Sequence, residues 1–198
     1  MTSRQGGDAG PRDAGAPAGM RLTLVTGGVR SGKSRYVVER AADLGGGEVT
    51  FIATARVHDD EMAQRVRRHR EERPAGWETL EAPHDAPAAI RRARHPVLVL
   101  DCLTLLLSNA TEDREDRAGF LEASRGAVDG LLQAAASRSG HLLVVTNEVG
   151  LGVVPASPVA RWFRDAQGEA NVRVAAAADT VTFMVSGLPW TLKGDPLD

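Results

Sequence analysis

Eight residues constrain this chain more than any others. Gly27, Gly28, Val29, Arg30, Ser31, Gly32, Lys33 and Ser34 follow the apolar run Leu22–Thr26 and precede a segment of helical pattern. Glycine, four intervening residues, then Gly-Lys-Ser between a strand and a helix is the spacing of a phosphate-binding loop. The glycines let backbone N–H groups turn inward around phosphate oxygens, and the helix N-terminus adds a favourable dipole. Lys33 is expected to reach the β- and γ-phosphates, and the Ser34 hydroxyl to hold Mg²⁺. Composition sharpens the point, because Lys33 and Lys193 are the only lysines in a chain that otherwise uses arginine. A compact ammonium acts on phosphate as a point charge, which a planar guanidinium does not.

The rest of the chain repeats one pattern. Apolar, β-branched runs at Leu22–Thr26, Val49–Thr54, Val97–Asp101, Leu142–Thr146 and Thr180–Ser186 alternate with helical patterns at Lys33–Asp43, Asp59–Arg73, Asp85–Ala93, Arg117–Arg138 and Pro158–Ala178. Runs this continuous suit strands buried on both faces of a parallel sheet. The expected fold is α/β, an open and mainly parallel sheet flanked by helices, in one catalytic domain over 20–198. Residues 1–19 are mostly Gly, Ala, Pro, Asp and Arg without an apolar stretch, and are expected to be a disordered tail rather than a secretory signal. Met20, directly before the first strand, is an alternative biological start. No apolar stretch approaches the ~20 residues of a membrane span, and a cytoplasmic enzyme is expected. The single cysteine, Cys102, excludes an intramolecular disulfide and reads as a buried thiol. A net charge of −2 and eight aromatic residues speak against a nucleic-acid partner.

Ligands on such sheets bind at the carboxyl ends of the strands. Asp101 ends an apolar strand, the arrangement that holds Mg²⁺ opposite the loop serine, although a cap on the following residues is the structural alternative. Asn147-Glu148 follows the next strand, and Glu148 is a second candidate for the metal or a substrate hydroxyl. Glu81, after the short Trp77–Leu80 stretch, is a candidate ribose or base contact. After the second strand, Met62, Val66, His69 and Arg73 recur at helical spacing, with Arg67, Arg68 and Arg70 around the histidine. A packed histidine on a solvated basic helix is the plain reading. The chemical one is a neutral imidazole that attacks phosphorus while the arginines hold the nucleotide oxygens.

Taken together, TGGVRSGKSR (26–35), IATARVHDDEM (52–62), RHREERPAGW (68–77), LDCLTLLLSN (100–109), VTNEVGLGVVP (145–155) and ARWFRDAQGEANVRVAAAADTV (160–181) resemble the adenosylcobinamide kinase/adenosylcobinamide-phosphate guanylyltransferase family. The resemblance covers the chain after the tail. It implies a recombinase-like sheet and phosphorylation of adenosylcobinamide by ATP or GTP. It further implies transfer of GMP from GTP, through a guanylylated histidine at His69, to give adenosylcobinamide-GDP. Nucleotide contacts are implied at the loop, at Ala53, Thr54 and Ala55, at Arg70, Glu71, Glu72 and Arg73, and at Glu81 and Asp101. Mg²⁺, a corrinoid partner and a homo-oligomer, with a trimer as the expected form, are implied as well. Two other readings remain open on the residues: guanylyl transfer alone, or a P-loop kinase of another small molecule. A nucleic-acid-stimulated ATPase of the recombinase type is a more distant one.

Overall fold

The computed structural model describes residues 19–57, 59–71 and 73–197, with the side chains at 61, 65 and 69 outside that description. Seven strands form one sheet: β1 (Arg21–Gly27), β2 (Val49–Ala53), β3 (Glu78–Glu81), β4 (Val97–Asp101), β5 (His141–Val145), β6 (Thr180–Val185) and β7 (Leu188–Lys193). Their order is β3-β2-β4-β5-β1-β6-β7. All neighbours are parallel except β7, which pairs antiparallel with β6. The fold class is therefore the expected α/β arrangement.

Both faces of the central strands are covered, which is why they read as unbroken apolar runs. Leu98, Leu100, Leu142 and Val144 point to one face, where they meet Ile90 of α3 (Ala86–Arg92), Leu103 and Leu107 of α4 (Leu103–Thr111), Leu131 of α5 (Arg117–Ala136) and Val174 of α6 (Pro158–Ala177). Val97, Val99, Leu143 and Val145 point to the other, under Val37 and Ala41 of α1 (Lys33–Gly45) and Trp77. Each fully buried leucine here contributes about 1.5–3 kcal/mol relative to exposure.

Three elements differ from the sequence reading. The apolar stretch after Asp101 is not a bare cap but a nine-residue helix, α4. Glu78–Glu81 is a strand, paired with β2 as the sheet edge. Ser186 and Gly187, with φ of 52° and 83°, turn the chain into β7, so the last run is a hairpin. Helix α2 (Asp60–Glu71) ends before Arg73, since a residue preceding Pro74 is pushed out of helical conformation. Trp77 then anchors the return to β3: it is buried, and its Nε1 donates to Gly46 O at 3.0 Å. Of the expected tail, Gly19 alone is among the described residues. The chain is already docked at Met20, whose N–H donates to Ala135 O at 2.9 Å. No helix among the described residues is long and apolar enough to cross a membrane.

Cys102, the N-cap of α4, is buried as expected. Burial, reinforced by the Asp101 carboxylate, pushes its thiol up from 9.0 to about 12. Above pH 9.0 the unfolded chain releases this proton while the folded chain keeps it, so stability falls as pH rises through that window. At pH 8, Cys102 in the native protein should react with a thiol reagent about 100-fold more slowly than in urea-unfolded protein. Equal rates would contradict this packing.

Candidate active site

The carboxyl ends of the strands are level. Val25 of β1 stands opposite Val145 of β5, Val145 opposite Asp101 of β4, Asp101 opposite Ala53 of β2, and Ala53 opposite Glu81 of β3. Ala53, Glu81 and Asp101, three scattered positions in sequence, thus form one row along the sheet edge where the phosphate loop begins.

The loop itself depends on two glycines. Gly27 has φ 149°, and a Cβ there would stand 2.4 Å from Met184 O of β6. Gly32 has φ 96° and is the N-cap of α1, with Gly187 directly behind it. Arg30 also has a positive φ, 57°. The loop is tied to the β6–β7 turn by Gly187 N donating to Ser31 O at 3.0 Å, and to the end of β5 by Glu148 N donating to Gly27 O at 3.2 Å. These bonds turn the loop back over the helix start, the shape in which N–H groups converge on an anion.

Lys33 is 7% exposed. Its Nζ donates to Gly27 O at 3.0 Å and to Gly28 O at 2.5 Å. Burial pulls its pKa below the usual lysine value, opposed by Cys102, Asp101 and Glu148, which surround it. The two carboxylates favour the charged ammonium; the thiol of Cys102, neutral well past pH 9, adds little to that at physiological pH.

A cavity of about 820 Å³ opens beside this edge. Val29, Arg30, Ser31, Gly32, Lys33 and Ser34 form one wall, and Ala53, Ala55, Glu81 and Asp101 form its floor. Met62, Val66 and Arg70 of α2, with Arg73 beyond its end, line the same cavity. Most of the residues singled out by sequence are therefore brought together. Gly27 and Gly28 lie behind the wall as acceptors for Lys33. Thr54 is fully buried and faces inward: its hydroxyl donates to Cys102 O at 2.8 Å and accepts from Cys102 N at 2.7 Å, clamping β2 to β4. Glu71 is exposed at the end of α2 and is not part of the cavity wall. Glu72 lies outside the described residues, as does the side chain of His69, whose backbone belongs to α2.

The structure adds residues that the sequence did not single out. Phe51 carries the Arg73 guanidinium over its ring at 3.3 Å to the centroid, a cation–π contact inside the cavity. The Thr104 hydroxyl accepts from Asn147 N at 3.0 Å and aligns the β5 end. Arg70 pairs with Glu81 at 2.5 Å, and Arg56 pairs with Glu112. A Phe in a strand and a Thr in a first helical turn carry no distinguishing pattern, so no sequence signal pointed to them.

Ser34 and Asp101 offer hard oxygen donors beside the loop, a set that fits a Mg²⁺ ion brought in by a triphosphate and keeping most of its own waters. Among the described residues no group of three or more His, Cys, Asp or Glu could cage a metal.

A phosphate loop and several arginines lining one cavity of nucleotide size define a P-loop nucleotide-binding protein. Comparison with known proteins narrows the class. The family described as cobinamide kinase / cobinamide phosphate guanyltransferase matches residues 23–192. The bifunctional adenosylcobalamin biosynthesis protein CobP of Pseudomonas aeruginosa is 42% identical over 178 residues, 88% of this chain and 98% of the relative. The bifunctional adenosylcobalamin biosynthesis proteins CobU of Escherichia coli and Salmonella typhimurium are 37% and 38% identical over 182 residues, 87% of this chain and 99% of each relative. The chain belongs to the cobinamide kinase / cobinamide phosphate guanyltransferase family and is a bifunctional transferase of cobalamin biosynthesis.

The cradle geometry makes Gly27 the least replaceable loop residue. Gly27→Ala combines a positive φ with a backbone clash, a strain of about 1–3 kcal/mol or more, and should weaken GTP binding by about tenfold or greater. Gly47→Ala, whose Cβ meets open space, serves as the control and should leave binding unchanged in isothermal titration.

Proposed function

We propose that this chain phosphorylates the aminopropanol hydroxyl of adenosylcobinamide with ATP or GTP, and then transfers GMP from GTP to that phosphate through a guanylylated His69. The observation that carries this reading is that the loop at 29–34 and Met62, Val66 and Arg70 of α2 line one cavity. His69 lies in that helix, three residues after Val66 and immediately before Arg70. Triphosphate held at Lys33 and Ser34 is thus shared between the cradle and a helix that carries both a nucleophile and cations.

In the guanylyl step, an imidazole nitrogen of His69 forms a bond to the α-phosphorus. The bond from the α-phosphorus to the bridging oxygen of the β-phosphate breaks, and pyrophosphate leaves. A phosphate oxygen of the corrinoid then attacks the same phosphorus, the P–N bond breaks, and the histidine is regenerated. Splitting the transfer in this way lets each displacement use one acceptor in turn. Arg70 and Arg73 hold nonbridging oxygens, and the Lys33 ammonium offsets charge on the β- and γ-phosphates. Ser34 and Asp101 are the residues that would hold a Mg²⁺ ion, which would neutralise phosphate charge. The Glu81 carboxylate, paired with Arg70, takes a ribose or guanine contact, and Ala53–Ala55 provide backbone contacts beside it. Residues 20–198 act as one catalytic unit in the cytoplasm, assembled as a homo-oligomer, with a trimer the expected form.

Incubation with α-³²P-GTP and Mg²⁺, followed by denaturation and peptide mapping, tests the central step. Acid-labile, hydroxylamine-insensitive label should map to the peptide containing His69 and should vanish in His69→Ala. Undiminished label in that variant would remove His69 from the mechanism.

A further inference from the structure

One carboxylate at the sheet edge is held by a polar network that the guanylyl step does not use. Glu148 follows β5, the strand that lies between the loop strand β1 and the Asp101 strand β4. Its Oε1 accepts from the Thr26 hydroxyl and from Asn171 Nδ2, the latter at 3.1 Å. Asn171, on α6, also donates to Asn147 O at 3.1 Å. Behind it, Asn171 Oδ1 accepts from Thr146 Oγ1 at 2.8 Å and from Gln167 Nε2 at 2.9 Å, and Gln167 Nε2 also reaches Thr146 Oγ1 at 3.0 Å.

This network is costly as packing. Thr146 and Gln167 are fully buried and Asn171 is 7% exposed. The Gln167 carbonyl oxygen is buried with no hydrogen-bond partner among the described residues. Apolar residues at 167 and 171 would fill the same space without desolvating amides. What the polar residues achieve is a fixed aim for one carboxylate. Both hydrogen bonds onto Glu148 fall on Oε1, so Oε2 keeps its capacity to accept a proton. The carboxylate is only half-buried, is near enough to Lys33 to act on its ammonium, and adjoins Asn147, which lines the nucleotide cavity. Glu148 stands where the cradle begins, its N–H bonded to Gly27 O and its carboxylate to the Thr26 hydroxyl, and not on α2.

From this placement we infer that Glu148 is the base of the kinase half-reaction, an inference that rests on the kinase half of the reading above. Oε2 takes the proton of the acceptor hydroxyl as that oxygen forms its bond to the γ-phosphorus. The bond from the γ-phosphorus to the β–γ bridging oxygen breaks, and nucleoside diphosphate leaves with the electron pair. The proton on Glu148 passes to water once the phosphorylated alcohol departs. Thr26 and Asn171 are positioning residues for this carboxylate, and Gln167 and Thr146 brace Asn171.

The two half-reactions separate the roles. In Glu148→Gln, which keeps shape but cannot take the proton, phosphorylation of adenosylcobinamide should fall by about 100-fold or more. Guanylylation of supplied adenosylcobinamide phosphate, which feels Glu148 only through Lys33, should fall much less, by about tenfold at most, and the acid limb of the kinase pH profile should disappear. Loss of both activities together, or of neither, overturns the assignment. Wild-type protein that guanylylates but does not phosphorylate would instead remove the kinase reading itself. If Glu148→Gln does not fold, Thr26→Val and Thr26→Ser decide. The valine should lower the kinase rate about tenfold with guanylylation retained, and the serine should restore it. A Thr26→Val enzyme with full kinase activity overturns the proposal.

Discussion

A cation enclosed where three strands end governs the working edge of this protein. Lys33 is almost out of water, and an ammonium in that position destabilises the fold unless its protons and its charge are both answered. The carbonyls of Gly27 and Gly28 take the protons, and Asp101 and Glu148 answer the charge. These groups close or follow three different strands. β1, β4 and β5 must therefore stop at the same height, which the register of Val25, Val145 and Asp101 provides. The glycine at 27 is part of the same constraint, because only a residue without Cβ lets β1 turn into the loop against Met184.

Two acids around one lysine make a poor seat for a triphosphate unless other cations contribute. The cavity supplies them in Arg30, Arg35, Arg56, Arg70 and Arg73. Three of these are engaged in ion pairs, Arg35 with Glu39, Arg56 with Glu112 and Arg70 with Glu81. Arg70 and Glu81 are more than half exposed, and such pairs contribute only about 0–1 kcal/mol. An incoming anion can take Arg70 from its carboxylate at little cost. The arginine side of the cavity is thus easily rearranged, while the lysine side, fixed by backbone carbonyls and strand ends, is not.

How much of this was legible follows the same division. The loop could be read because its glycines are demanded by backbone geometry, and Asp101 because a polar residue closing a doubly buried strand has few roles. α4 was missed because Leu103–Leu107 continues the apolar run of β4 without a turn residue between them. β3 is a four-residue edge strand with alternating exposure, too short to carry a pattern. β7 did have a signal, the Ser186-Gly187 pair between apolar residues, which suits a tight hairpin turn. The polar network under Glu148 was not legible, although Glu148 itself was. Thr26 and Glu148 are 122 positions apart, and Gln167 and Asn171 read as ordinary polar positions of a helix until their burial is known.

The strand order finally explains how one cradle serves two reactions. Phosphoryl transfer breaks the bond beyond the β-phosphate, and nucleotidyl transfer breaks the bond before it, so the same triphosphate must be approached from two ends. α2 connects β2 to β3, on the flank of the sheet away from β1, whereas Glu148 stands at β5, directly beside β1. β4, with Asp101, lies between those positions. In the proposed mechanism a nucleotide anchored at Lys33 would be approached by α2 from the β2 flank and by Glu148 from beside β1. On the proposed mechanism both transfers rely on Lys33, and they would then take turns on one subunit. Such alternation, with exchange of nucleotide between the steps, would make phosphorylated intermediate and fresh GTP the pair for the second step.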